Sequence, residues 1–562
     1  MTETHGRSTA GQLLSIIASG WARLGITFVA GLIITALLIS EFGLIRFGMF
    51  IFILQVTDLT LYACFSALSR SMIRDFSAFR ARGDSTEFRR VFSCGVVISV
   101  SLFLLIVAIG WPFQALGVLV LDYAPELHSD LRSTILATAV GAAFYLGITP
   151  WQAMVISAGK ILQLNAFMLA NRLCDLVAVL IVMQWGIAEG FVAFVWLRTL
   201  LRVGVLTALA LYGRSRSPDA RFSPRLVSGR VIRSLFRTGG WAMSIPVSQY
   251  SFYELDQLLL NLFVGPIYNA IYGVSNQVRG YARLAGSSII LGTDALASDL
   301  HEQGRIDTVR NVLDATIRFP LVITGCCAIL LGVFAEPVLT VWLADSIAEG
   351  SAPGGPSPSE LIEIIATFAI VTLIGTVVAE PHYAAASVLY GMGHLRRFSP
   401  LMFGAAIAKP VIAAGLLAFG FAPISAIIVT VVIQILLYGV YFPWLIADVS
   451  RRTVAQLWRK VYFRPVASLA IFLGIALGVR AIVSIDSVVS LATVLVVTGA
   501  TYAPLGYFLA LNPNERERLL GMIAGRLGRG RRRSVPETVA GQPTPDQSPG
   551  LASMSSETKT PR

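Results

Sequence analysis

The sequence predicts an all-α, polytopic membrane protein, and three observations carry that prediction. Hydrophobic residues make up 55% of the 562-residue chain and charged residues only 14%, against about 45–50% and about 25% in soluble domains. Apolar stretches of the ~20 residues that a helix needs to cross a bilayer recur from Gln12 to Leu511, with no room between them for a soluble domain. These runs are too long and too continuously apolar for barrel strands. Because lipid offers the backbone no hydrogen-bond partners, helices remain.

Fourteen spans are expected, near residues 12–40, 47–68, 91–115, 132–157, 164–184, 187–212, 238–263, 267–297, 314–344, 360–390, 398–420, 423–447, 463–482 and 485–511. Residues 1–11 form a short polar N-terminus. The first apolar run, from Gln12 to Ser40, exceeds the core of a signal peptide, about 7–15 residues, and reads as a retained span. With the N-terminus in the cytoplasm, the alternate loops on that side carry Arg70, Arg74, Arg80, Arg82, Arg89 and Arg90, then Arg214, Arg216, Arg221, Arg225, Arg230 and Arg233. Further along they carry Arg305, Arg310, Arg396, Arg397, Arg451, Arg452, Arg459 and Lys460. The opposite loops offer little beyond Arg46 and Arg132, so both termini are expected in the cytoplasm. The net charge of +12 is thereby a matter of orientation, and no nucleic-acid partner is expected.

The longer external loops are Leu121 to Asp130, with Asp122, Glu126 and Asp130, and Ser346 to Glu360, rich in Gly, Pro and Ser. Neither resembles a folded domain. Beyond the last span, Asn512 to Arg533 reads as a basic amphipathic segment and Ser534 to Arg562 as a disordered tail. The five cysteines, Cys64, Cys94, Cys174, Cys326 and Cys327, lie in or beside apolar segments without pairing or metal spacing, and read as small buried thiols.

An internal repeat organises the chain. Gly20-Trp21 is echoed by Gly240-Trp241, the segment Gly43 to Gly48 by Gly265 to Ala270, and the loop Gly83 to Arg89 by Gly304 to Arg310, at offsets of 220, 222 and 221 residues. A near-constant offset across six spans marks a duplication. Because six is even, the copies enter the membrane in the same direction and form parallel bundles related by an axis along the membrane normal, the architecture of transporters. The expected organisation is an N-terminus at 1–11, a six-helix bundle at 12–212, a basic linker at 213–237 and a second six-helix bundle at 238–447. Two additional helices at 448–511 and a tail at 512–562 complete it.

A charge in mid-bilayer costs at least about 2.5–3.5 kcal/mol and normally faces a wet cavity or a partner. Arg198 and Arg202, and Arg279 and Arg283, are each spaced i, i+4, which places both guanidinia of a pair on one helical face. With Arg23 and Lys409 they make six intramembrane cations and a candidate cationic lumen, suited to a diphosphate by the bidentate fork of Arg. The acids at comparable depth are Asp58, Asp175, Glu254, Asp256, Asp294 and Glu380. For each charge the alternative is neutralisation or snorkelling, as Asp175 would achieve with Arg172 one turn earlier. Pro stands beside a charge at Glu380-Pro381-His382 and at Lys409-Pro410, where a broken helix frees carbonyls, although such kinks are common without function. Glu254, Asp256 and Glu380 are candidates for ion coupling. No phosphate loop, HExxH, nucleophile elbow or Cys/His cluster is present, so no catalytic residue, cofactor or metal is expected. Gly159-Lys160 fails as a phosphate loop, with Met154 in place of the first Gly and Ile161 in place of the hydroxyl.

Gly43 to Gly48 after a long first span, followed by Ser66-Ala67-Leu68-Ser69-Arg70, resembles the opening of polysaccharide-biosynthesis flippases of the multidrug/oligosaccharidyl-lipid/polysaccharide (MOP) superfamily. The second half is similar to theirs at Gly240-Trp241, Asp256 to Leu260, Gly265, Tyr268, Tyr272, Gly304, Arg310 and Val341-Trp342-Leu343. The resemblance covers residues 12–511. It departs at Phe47, where the pattern has Tyr, and at Asn269, where it often has Gly. What it implies is a bacterial inner-membrane flippase that moves undecaprenyl-diphosphate-linked oligosaccharide units by alternating access, for O-antigen, lipopolysaccharide or exopolysaccharide assembly. A polysaccharide polymerase and chain-length machinery would be its partners, alongside membrane lipids. The alternatives are a cation-coupled multidrug exporter of the same superfamily, expected to have twelve spans and an acidic lumen, and a peptidoglycan-precursor flippase. A membrane glycosyltransferase would need a large external loop, and a scaffold would leave the intramembrane charges unexplained.

Overall fold

The computed structural model describes residues 3–186, 190–217, 220–242, 244–287, 293–350, 356–485, 487–511 and 516, and among these every regular element is helical. The tail from 517 onward and the side chains of residues 3–22, Asp58, Asp294 and Trp241 lie outside the described residues. Met1–Ala510 makes one compact unit and Leu511–Arg562 another. In the second, Arg516 Nε donates to the Leu511 carbonyl at 3.2 Å.

The first half contains α1 (Glu3–Arg82), α2 (Ser85–Val120), α3 (His128–Gly147), α4 (Thr149–Ser157), α5 (Ile161–Trp185) and α6 (Gly190–Ser215). After α7 (Gly229–Ala242) the second half begins with α8 (Ser244–Phe263), α9 (Ile267–Ser287), α10 (Thr293–Glu302), α11 (Ile306–Val333) and α12 (Ala335–Gly350). It continues with α13 (Pro358–Gly391) and α14 (Leu395–Ala418), then α15 (Ile424–Val449), α16 (Val454–Ile482) and α17 (Val488–Ala510).

Among the described residues ten helices are long and apolar enough to cross a membrane, or eleven when the pair α3 and α4, bent by 44°, is one span. The bend falls where Pro150 cannot donate to the preceding turn. The fourteen expected spans are compatible with this count. The difference lies in the second part of α1, where the side chains of 58–67 lie outside the described residues, and in α8 and α9, whose Ser, Gln, Asn and charged residues lower their hydropathy below that of a lipid-facing helix. One boundary also differs from expectation: the span near 314–344 is split between α11 and α12.

Among the described residues, every glycine with positive φ pairs with one in the other half. Gly43 (φ 82°) matches Gly265 (φ 125°) at an offset of 222 residues, and Gly83 (φ 69°) matches Gly304 (φ 71°) at 221. Gly159 (φ 70°) matches Gly393 (φ 80°), and Gly186 (φ 54°) matches Gly420 (φ 80°), both at 234. These left-handed positions close the turns between consecutive helices, where any side chain would be strained. The jump from 221 to 234 falls in the stretch holding α12 and the loop after it. Two helix starts are fixed locally as well. Asp84 accepts from the Glu87 N–H at the start of α2, and Ser357 and Glu360 form a reciprocal capping box at the start of α13.

Candidate functional site

In the first half, α5 and α6 turn their charged faces toward each other. Arg198 Nε donates to Asp175 Oδ1 at 2.7 Å, with the two side chains 3% and 4% exposed. Arg172, one turn earlier on α5, donates to Asp175 Oδ2 at 3.1 Å. Arg202 Nε reaches Asn171 Oδ1 at 3.3 Å. Three guanidinium groups thus gather around a single carboxylate. Beside them lies a cavity of about 260 Å³ lined by Asn171, Arg198 and Arg202, with Thr138 and Tyr145 from α3 and Tyr250 from α8. Arg172 is 41% exposed, and its Nη2 is 3.7 Å from where a Cβ at Gly31 would stand, placing it against α1.

The second half has as many cations but spends them differently. Lys409 Nζ is 2.5 Å from Asp256 Oδ1, and neither side chain is exposed at all. Thr430 Oγ1 donates to Asp256 Oδ2 at 2.8 Å, while Lys409 Nζ also donates to the Ser251 carbonyl at 3.1 Å. Pro410 has no N–H to give the Ala406 carbonyl, and the Ser251 hydroxyl takes that acceptor at 2.6 Å. The proline beside Lys409 therefore serves a clasp between α8 and α14. On α9, Arg283 Nε lies 3.2 Å from Glu380 Oε2. Arg279 donates to Asn276 Oδ1 at 2.5 Å and stands 3.7 Å from the centroid of the Tyr253 ring. Asn276 in turn contacts Glu254 at 3.5 Å. Three cations here face three carboxylates.

The two hubs occupy equivalent places. Gly159 and Gly186 bracket α5 as Gly393 and Gly420 bracket α14, at the common offset of 234, and that offset carries Asp175 onto Lys409. The same position holds a carboxylate in one half and an ammonium in the other.

Of the residues singled out in the sequence, Arg198 and Arg202 line the cavity, whereas Lys409 and Asp256 are enclosed by the ion pair they form. Arg279, Arg283, Glu254 and Glu380 gather around α9. Arg23 is half-buried on α1, apart from the cavity lining. Arg172 pairs with Asp175 as its place one turn earlier on α5 suggests, and that pairing brings it into the cluster. One cation was missed. Arg318, wholly inside α11 at 2% exposure, donates Nη2 to the Lys460 carbonyl at 3.0 Å, and a lone Arg within an apolar run was the available signal.

The halves touch along α1 and α9. Thr35 donates to Gln277 Oε1 at 2.9 Å, Gln277 Nε2 reaches the Gly31 carbonyl at 3.3 Å, and Trp342 Nε1 donates to the Leu32 carbonyl at 2.9 Å. Nearer the Gly43 and Gly265 turns, a Cβ at Gly48 would lie 2.6 Å from the Ala270 nitrogen. Only glycine permits this crossing.

No protein-family model matches the chain. Its sequence is similar to an uncharacterized membrane protein, EpsK, of Bacillus subtilis (strain 168), at 24% identity over 343 residues, 60% of this chain and 64% of that protein. The match thus spans less than two thirds of that relative. In fold, the chain is similar to the lipid II flippase MurJ in an inward closed conformation, with a TM-score of 0.62 at 12% identity over 87% of this chain and 98% of MurJ. It is similar also to an inward-facing multidrug resistance MATE family transporter of the MOP superfamily, with a TM-score of 0.60 at 12% identity over 77% of this chain and 99% of that one. A third is the MATE multidrug transporter DinF-BH in complex with R6G, with a TM-score of 0.58 at 13% identity over 79% and 97% of the two chains. In fold the chain is a polytopic helical membrane protein similar to these transporters.

Proposed function

We propose that this chain moves undecaprenyl-diphosphate-linked oligosaccharide units across the bacterial inner membrane by alternating access, for O-antigen or exopolysaccharide assembly. The observation that carries this reading is the surplus of guanidinium groups at the first-half cavity. Arg172 and Arg202 gather with Arg198 around one carboxylate, so positive charge is left over where a diphosphate would enter, and planar forks suit phosphate oxygens. Arg279, Arg283 and Lys409 face the carboxylates of the second half and Arg23 stands apart from the cavity lining, so the surplus lies with Arg172 and Arg202. In this reading the bundles at 12–212 and 238–447 rock about the linker at 213–237, with the helices at 448–511 appended and both termini cytoplasmic. Contact along the Gly43 and Gly265 ends then corresponds to a cavity closed on the outside. Ion coupling, where it operates, falls to Glu254 and Glu380, because Asp256 is wholly enclosed with Lys409 whereas the Arg283 side chain beside Glu380 is 35% exposed. A polymerase and chain-length machinery would receive the product.

The structural neighbours support a cation-coupled multidrug exporter or a peptidoglycan-precursor flippase equally. The acids of the second half favour the exporter, and the arginine surplus favours a diphosphate lipid. Replacing Arg172, Arg198 and Arg202 with Ala and following surface polysaccharide separates them. Export is expected to stop while the protein still reaches the membrane. Unchanged export at normal expression would refute the reading, and loss of drug resistance instead would establish the exporter.

A further inference from the structure

The segment joining the halves folds back onto α2. The Ser223 N–H donates to Ser93 Oγ at 3.0 Å, and Cys94 Sγ lies 3.8 Å from the Ser228 carbonyl. Ser93 stands roughly 12 Å along α2 from its start at Ser85, at about 1.5 Å per residue, just where the apolar run from Val91 begins. The segment therefore crosses α2 at the level where that helix passes from water into lipid.

At this level α7 and the residues before it show two faces. Val227, Val231, Ile232 and Leu235 pack against Leu68, Met72 and Phe76, and the Leu235 carbonyl accepts from Ser71 Oγ at 3.3 Å. On the other face Arg221, Arg225, Arg230 and Arg233 are exposed, interleaved with Phe222 at 49% and Phe236 at 54% exposure. From Gly213 to Ala242 the chain has seven arginines and a single acid, Asp219.

We propose that this face docks on anionic phospholipid headgroups of the surrounding leaflet and so holds the joint between the halves on the membrane surface. The two phenylalanines enter the acyl boundary and the arginines take the phosphates. An acidic soluble protein would satisfy the arginines alone, whereas aromatic rings exposed at the depth of the lipid boundary fit a membrane. The proposal rests on the membrane fold and on no choice of transported substrate.

The test uses the full chain with its five native cysteines replaced by Ser and a bimane fluorophore on Ser234→Cys, an exposed position of α7. The protein is placed in nanodiscs of acyl-brominated phosphatidylcholine, with or without phosphatidylglycerol. Bromine quenching is expected to be stronger with phosphatidylglycerol. Changing Arg221, Arg225, Arg230 and Arg233 to Gln should remove the difference, each change weakening the anionic-lipid preference about fivefold, while the four changes to Lys should keep it. A melting temperature in detergent equal to the parent's shows that the Gln variant is folded. Where it is not, 1 M salt on the parent substitutes, since screening to about 3 Å should abolish the difference. Equal quenching in the two lipids, a preference that survives the Gln changes or high salt, or one lost with Lys would each overturn the proposal.

Discussion

The α5–α6 cluster of the first half and the α8–α14 cluster of the second are built on one backbone plan, yet Asp175 anchors the first and Lys409, at the equivalent place, anchors the second. Inverting the hub changes what its neighbours are free to do. Around Asp175 the chain supplies three arginines, one of them 41% exposed, and opens a cavity beside them. Around Lys409 it supplies a carboxylate, a carbonyl and the clasp that Pro410 makes possible, all enclosed. Equal numbers of cations thus give a surplus of charge in one half and a neutral lock in the other. Buried ions are tolerated in both only because each is paired.

The largest expected effect comes from unlocking the second half. Lys409→Met leaves Asp256 buried without a counter-charge and should cost about 3–5 kcal/mol, read as lost folded yield or a lower melting temperature. Lys409→Met with Asp256→Leu should recover most of it. Arg172→Met in the first half should cost less than about 1 kcal/mol, because that guanidinium is partly in water. An equal cost at both sites would erase the contrast.

Next is the seam between the halves. Gly48→Ala pushes a methyl onto the Ala270 backbone and should destabilise by about 1–3 kcal/mol. Gly25→Ala, in α1 before the break at Gly43 and with nothing within 4 Å, should stabilise by up to about 1 kcal/mol. Thermal melts of the two variants compare them directly.

The smallest effect sharpens the account of the clasp. Ser251→Ala should cost about 1 kcal/mol. In a Pro410→Ala background the cost should fall, because the introduced alanine restores an N–H for the Ala406 carbonyl. A cost independent of Pro410 would show that the serine acts otherwise.

Much of this was legible in the sequence and some was not, for physical reasons. Helical class follows from apolar length, and the duplication was visible at Gly43 and Gly83 with their partners. Beyond the stretch holding α12 the offset shifts by thirteen residues, which hid the equivalence of Asp175 and Lys409. Spacing within one helix revealed the pairs Arg198 with Arg202 and Arg279 with Arg283. It does not reveal partners on other helices, so Lys409 read as a lumen cation and Asp256 as a coupling acid rather than as one closed pair. The pairing of Arg172 with Asp175 was visible one turn apart on α5, but sequence alone does not say that this carboxylate is shared with Arg198.

The central claim is that the surplus charge of the first half receives a diphosphate. It is tested most directly by the affinity of the purified protein for farnesyl diphosphate, measured by calorimetry in the parent, in Arg172→Ala/Arg202→Ala and in Arg279→Ala/Arg283→Ala. Losing charged hydrogen bonds of about 1.5–3 kcal/mol each should weaken binding by at least about tenfold in the first variant, with a smaller change in the second. Unchanged affinity in the first variant, or a larger loss in the second, would contradict the account.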